Sequence, residues 1–250
     1  MNVPHKKIYI IKAGSTFSAT TGQHGDFEAM VCRGLGLEPQ AVQVIKACQG
    51  EELPAAESCQ GVVITGAHCM VTDNLPWSLG IEAWIPSLVQ AEIPLLGICY
   101  GHQLLGRAMG GMVDFHPDGK EVGTFDIHRL PESEADPLFS SLPQQFPVHT
   151  THAQSVLNLP GGAVPLAANS FEPHHAFRVG RCAWGVQFHP EYNAATTKDY
   201  ILAQADGLRR AGQDVNALLQ GLRETLVASS LLSRFAQFAM QESGMTTNQS

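Results

Sequence analysis

The sequence contains no apolar run near the roughly 20 residues needed to cross a bilayer. Its first apolar stretch, Ile8-Tyr9-Ile10-Ile11, stops at Lys12, too short for a secretory signal. There is no basic surplus: 15 Lys and Arg against 23 Asp and Glu leave a net charge of −8. A nucleic-acid or membrane-surface partner is therefore not expected. None of the six cysteines sits in a Cys-x-x-Cys pair. In a long chain without an export signal they read as reduced thiols in a cytoplasm. No zinc-ligand spacing occurs, and His149, His152, His174 and His175 read as loop histidines on a solvated flap. The glycines at 101, 106, 110 and 111 lack the Lys-Ser/Thr of a phosphate loop. No metal, ATP site or other cofactor is expected. No repeat or low-complexity block is present.

What remains is a balance of 44% hydrophobic and 15% charged residues over 250 positions. That suits one sizeable core, or a domain with an appendage. Short apolar, β-rich runs at 7–13, 41–47, 61–65 and 94–98 alternate with helical spacing at 27–35, 79–91 and 101–109. Continuous apolar strands between helices predict a parallel sheet covered on both faces. After Gly110-Gly111, strands at 122–130, 146–149, 164–168, 175–179 and 182–189 look antiparallel and partly solvated. From Ala194 the chain turns helical, with Gly212 placed as a C′ glycine and one or two amphipathic helices over 218–240. The polar end from Ser243 is expected to fray. The fold class is α/β: a mostly parallel central sheet, helices on both faces, an antiparallel flap and a C-terminal helical extension.

One segment carries chemistry. Leu95-Leu96-Gly97-Ile98-Cys99-Tyr100-Gly101-His102-Gln103 is an apolar strand running through Gly-x-Cys-x-Gly into a helix. This is the layout of a nucleophile elbow with a thiol in place of a hydroxyl. At the helix start, free N–H groups favour a thiolate and can hold an oxyanion. A buried, inert cysteine is the plain alternative, and it is also the reading for Cys69, which follows the Gly66 loop. Of the 11 histidines, His189 stands out in Gln187-Phe188-His189-Pro190-Glu191. Pro190 keeps His189 extended. Residues two apart on an extended segment project the same way, so Glu191 can orient the imidazole.

Together, Gly97-Ile98-Cys99-Tyr100-Gly101-His102-Gln103 and Gln187-Phe188-His189-Pro190-Glu191 resemble the class I glutamine amidotransferases. The likeness is to the GMP synthetase glutaminase and its stand-alone relatives. It covers about residues 7–195 and implies a flavodoxin-like fold. The implied roles are Cys99 as nucleophile, His189 as base and acid, and Glu191 as its orienting partner. Ile64-Thr65-Gly66-Ala67 resembles the family's oxyanion loop. The implied donors are the amides of Ala67 and Tyr100, and Gly66 and Gln103 would contact substrate. Thr151-His152-Ala153-Gln154 resembles the family's Ser-His-x-Asp segment lining the substrate's amino-acid end, with Thr151 and His152 as contacts. Gln154 stands where Asp is usual. The resemblance implies a glutaminase domain over 1–195, with 196–250 as a helical extension packed on it. Roughly 60 residues follow Glu191, short of the ~100–150 of a further domain. Two functions stay open: a glutaminase supplying ammonia to a separate synthetase, or a self-sufficient γ-glutamyl hydrolase. A non-catalytic module of the same fold is the third reading.

Overall fold

The computed structural model describes residues 6–246. Eleven strands and seven α-helices are found among them. β1 (Lys7–Ile11), β2 (Val42–Ile45), β3 (Cys59–Ile64) and β4 (Leu95–Ile98) form the parallel half of a nine-stranded sheet. β5 (Met112–Phe115) and β8 (Gln154–Asn158) make a separate antiparallel pair. β6 (Glu121–Arg129), β7 (Gln145–His152), β9 (Val164–Ala168), β10 (Ala176–Val179) and β11 (Ala183–Val186) complete the large sheet. Its order is β2-β1-β3-β4-β11-β10-β9-β6-β7.

The strand expected over 182–189 differs from its sequence reading. β11 runs parallel to β4, in register Leu95↔Ala183 through Ile98↔Val186, and is buried along its whole length. Ala183-Trp184-Gly185-Val186 lacks polar alternation, which is the mark of a strand covered on both faces. The antiparallel strands β10, β9, β6 and β7 thus continue the main sheet from β11. His149, His152 and His175 are buried, not solvated loop residues. Helices pack over this extension and remove its face from water.

The helices carry local start and stop signals. α1 (Ser18–His24) was not evident from sequence. α2 (Phe27–Leu35) is capped by Asp26, whose side chain accepts from the Phe27 amide, and ends at Gly36 in the left-handed region. α3 (Pro76–Gln90) opens with a proline, and α4 (Tyr100–Ala108) follows β4 directly. α5 (Ala194–Arg210) is capped by Asn193, and Gly212 follows it at φ 80°. α6 (Val215–Gln220) and α7 (Leu226–Thr246) complete the chain. The end expected to fray from Ser243 is helical to Thr246, and 247–250 lie outside the described residues.

Two apolar cores lie on the two faces of the sheet. One joins α2 and α7 through Val31, Leu35, Leu232, Phe235 and Trp184. The other joins α3 and α4 through Ile81, Ile85, Leu104 and Leu105. The two helices meet closely at Gly34, where a Cβ would sit 2.2 Å from Leu232 Cδ1 and displace that side chain. A smaller cluster of Val122, Ile201, Leu208 and Val215 seats α5 and α6 on β6. The registers Ile11↔Ile64, Ile64↔Gly97 and Gly97↔Gly185 bring the carboxyl ends of β1, β3, β4 and β11 to one edge. In open α/β sheets this edge is where ligands bind.

Candidate active site

Cys99 is the single residue between β4 and α4. It adopts φ 49°, ψ −95°, a backbone region that non-glycine residues rarely occupy. Its amide donates to Val186 O at 2.8 Å, tying the turn to β11. The flanking glycines are sterically required. A Cβ at Gly97 would lie 2.4 Å from Gly101 O, and one at Gly101 would lie 2.5 Å from Ile64 O. The sulfur is largely buried, with Thr151 O at 3.9 Å.

His189 arrives on the segment after β11. Its amide donates to His149 O, and its Nδ1 donates to Glu191 Oε1 at 2.7 Å. The Glu191 side chain is fully enclosed. The imidazole stacks on Tyr192 at 4.1 Å between ring centres. Its Nε2 is buried and has no hydrogen-bond partner of ordinary geometry among the described residues. Burial pushes this imidazole down, but the Glu191 carboxylate and then the Cys99 sulfur outweigh burial, and the net shift is upward. Cys99, His189 and Glu191 are therefore brought together.

The loop after β3 forms the next wall. Thr65 Oγ1 accepts from Ala13 N at 3.0 Å and donates to Gly66 O at 3.1 Å. The Gly66–Ala67 peptide is trans, so its N–H points opposite to the carbonyl that Thr65 holds. No hydrogen bond among the described residues engages the amide of Ala67 or of Tyr100. A Cβ at Gly66 would meet His189 Cε1 at 3.1 Å, so this loop lies directly against the imidazole.

The family model for class-I glutamine amidotransferases matches residues 24–205. The chain belongs to that family. A glutamine-hydrolysing GMP synthase of Aeropyrum pernix is 31% identical over 216 residues, covering 81% of this chain and 39% of that protein. One from Porphyromonas gingivalis is 31% identical over 175 residues, covering 67% and 33%. The chain thus spans between a third and two fifths of these curated relatives. Among solved structures, a Thermotoga maritima glutamine amidotransferase aligns with TM-score 0.75 at 24% identity, over 95% of this chain and 99% of its own. One from Methylobacillus flagellatus aligns with TM-score 0.69 at 23% identity, over 94% and 93%. Both show the same fold.

In this member of the family the three walls meet at a cleft of about 320 Å³, within the range of small-molecule sites. Ala67, Cys99, Tyr100, Gln103, Thr151, His152 and His189 line it, whereas Gly66 lies just behind. Gln103 Nε2 donates both hydrogens inward, to Gln154 O and Gln187 Oε1. Thr151 Oγ1 accepts from Gln204. His152 Nδ1 faces Gln154 O, and its Nε2 faces Glu121 Oε2 at 3.2 Å. Burial would push the Glu121 carboxyl up, but the hydrogen bond from His152 and the imidazole of His175, 3.2 Å away, hold it far below the usual carboxylate range.

Sequence reasoning did not find Phe17, His68, Lys120, Tyr192, Tyr200 and Gln204, which complete the cleft. Tyr192 adjoins Glu191 and was open to inference from adjacency. His68 adjoins Ala67 and was open to the same inference, whereas Phe17, Lys120, Tyr200 and Gln204 reach the cleft only through tertiary packing of the start of α1, the loop before β6 and α5. Cys69 lines the cleft too, with its thiol pushed up by burial. Among the described residues, no group of three or more His, Cys, Asp or Glu side chains could hold a metal ion. No helix there is long and apolar enough to cross a membrane.

Proposed function

We propose that this chain hydrolyses a γ-carboxamide through a thioester on Cys99. The observation that carries the reading is one buried imidazole held between Glu191 and the elbow sulfur at the mouth of a cleft. The Glu191 carboxylate fixes the Nδ1–H tautomer and stabilises the charged ring, leaving Nε2 to take the thiol proton. The thiolate attacks the amide carbon. The amides of Ala67 and Tyr100 receive the developing oxyanion. His189 Nε2 returns its proton to the departing nitrogen, and ammonia leaves. The same nitrogen then deprotonates a water that cleaves the thioester, giving the free γ-carboxylate and restoring the thiol.

The curated relatives named as glutamine-hydrolysing GMP synthases support delivery of that ammonia to a separate synthetase. All six cysteines are free, which suits a reducing cytoplasm. The commitment of Gln154 described below favours instead a self-sufficient hydrolase of substituted donors. The test is Cys99→Ala in the full chain. We expect ammonia release to fall to the uncatalysed background while the folded state persists. Hydrolysis retained by that variant would overturn the assignment.

A further inference from the structure

The walls of the cleft offer an incoming molecule an unusual set of charges. Among the described residues that line it there is no Asp or Glu. Acids behind the wall are already bonded, Glu121 to His152, Glu191 to His189 and Asp73 to the Met70 amide. Gln154 faces the cleft, but both ends of its side chain are taken. Its Oε1 accepts from Val71 N at 3.1 Å, and its Nε2 donates to Thr72 Oγ1 at 2.6 Å. Gln103 has spent both amide hydrogens on Gln154 O and Gln187 Oε1, and no hydrogen bond among the described residues engages its Oε1. Gln103 Oε1 is thus a neutral side-chain acceptor on the cleft wall.

Lys120 is the one Lys or Arg among those lining residues, with its Nζ 3.4 Å from Gln204 Oε1. The remaining wall is aromatic. Phe17 packs on His68 at 4.3 Å and on Tyr200 at 5.0 Å between ring centres, and the Tyr200 hydroxyl is bonded to Thr16 Oγ1. An α-ammonium brings three donors and a full positive charge. In this cleft it would lose water without gaining a carboxylate. A secondary amide N–H brings one donor, which one neutral acceptor satisfies, and its acyl group can lie on the aromatic wall. A carboxylate would pair with Lys120.

Resting on the amidase reading above, we propose that the donor taken here is a γ-carboxamide with an acylated α-nitrogen and a free α-carboxylate, an N-acylglutamine, in preference to free glutamine. The acyl group is a specificity element and does not take part in the chemistry.

The experiment compares N-acetyl-L-glutamine, L-glutamine and N-acetyl-L-glutaminamide on the full chain, reading ammonia release. We expect kcat/KM for N-acetyl-L-glutamine to exceed that for L-glutamine at least tenfold. Gln154→Glu places a carboxylate at the α-nitrogen position, where Thr72 can donate in place of accepting. It should move the ratio toward free glutamine by tenfold or more. Lys120→Ala should weaken N-acetyl-L-glutamine and leave the carboxylate-free N-acetyl-L-glutaminamide nearly unaffected. Cys99-dependent turnover with L-glutamine equal or preferred would overturn this inference and leave the amidase reading standing. Folded protein that turns over none of the donors would overturn both.

Discussion

Thr65 is small and central. Its hydroxyl is the only group among the described residues that fixes the Gly66 carbonyl, and through a planar trans peptide it sets the direction of the Ala67 N–H. Thr65→Val keeps shape and β-branching but removes both hydrogen bonds. With the peptide free to turn, we expect kcat to fall about 10–100-fold with KM little changed, part of the about 10²–10³ that a lost oxyanion donor costs. Thr65→Ser should recover most of the rate. A Val variant with full kcat would remove Thr65 from the positioning scheme. At this scale the sequence was uneven. Cys99, His189 and Glu191 were readable because each sits in a short segment whose neighbours dictate its geometry: glycines around the thiol, a proline after the imidazole. Thr65 was passed over, since nothing local distinguishes it from any threonine ending a strand.

The strand–turn–helix from Leu95 to Ala108 is held by close backbone contact. At Gly97 and Gly101 an added methyl would meet main-chain atoms, which cannot swing aside. At Gly106 it would meet Val156 Cγ2 at 2.8 Å, the end of a side chain. Gly97→Ala and Gly101→Ala should therefore cost about 1–3 kcal/mol or more and slow alkylation of Cys99, whereas Gly106→Ala should be milder. Chemical denaturation with timed thiol labelling decides this. Equal losses at all three positions would mean the elbow is not the tight point. Elements formed from continuous apolar runs, β1, β3 and β4, were legible. β5 and β8 were not, because Met112-Val113-Asp114-Phe115 and its partner are short and mixed and become strands only by pairing with each other. The parallel direction of β11 was also hidden, since direction depends on a neighbour placed roughly 90 residues earlier.

Across the whole molecule, buried histidines set the pH response. Burial, with help from the nearby His189 and Arg223, holds His149 down at about 4. Burial likewise keeps the fully enclosed His102 well below its ordinary value. Once unfolded, both titrate near ~6.5. Between those limits the unfolded chain binds protons that the native chain refuses, so stability falls as pH drops from about 6.5 toward 4. His189 has the opposite sign. Its native value is raised, so its contribution is complete below ~6.5 and is lost as pH rises above that. Stability should therefore peak near pH ~6.5, with each titrating histidine contributing up to about 1.4 kcal/mol per pH unit. Urea midpoints measured from pH 5 to 9 test the curve. His149→Asn should flatten its acid limb and His189→Asn its alkaline limb, and a flat wild-type profile would refute the account. The burial of these histidines was invisible in sequence, because it depends on distant partners: Phe177 and β11 against His102, Phe27 and Tyr192 against His189.

β11 lies between β4 and the antiparallel strands, yet it is made long after β4. While the protein is still being synthesised, its first half carries the Cys99 sulfur without the His189 imidazole that shares its cleft. Synthesis must pass Glu191, and the late strand must slot into the middle of an already started sheet, before Cys99, His189 and Glu191 can meet. On the proposed reading, an unfinished or prematurely cut copy lacks the imidazole and is expected to release no ammonia.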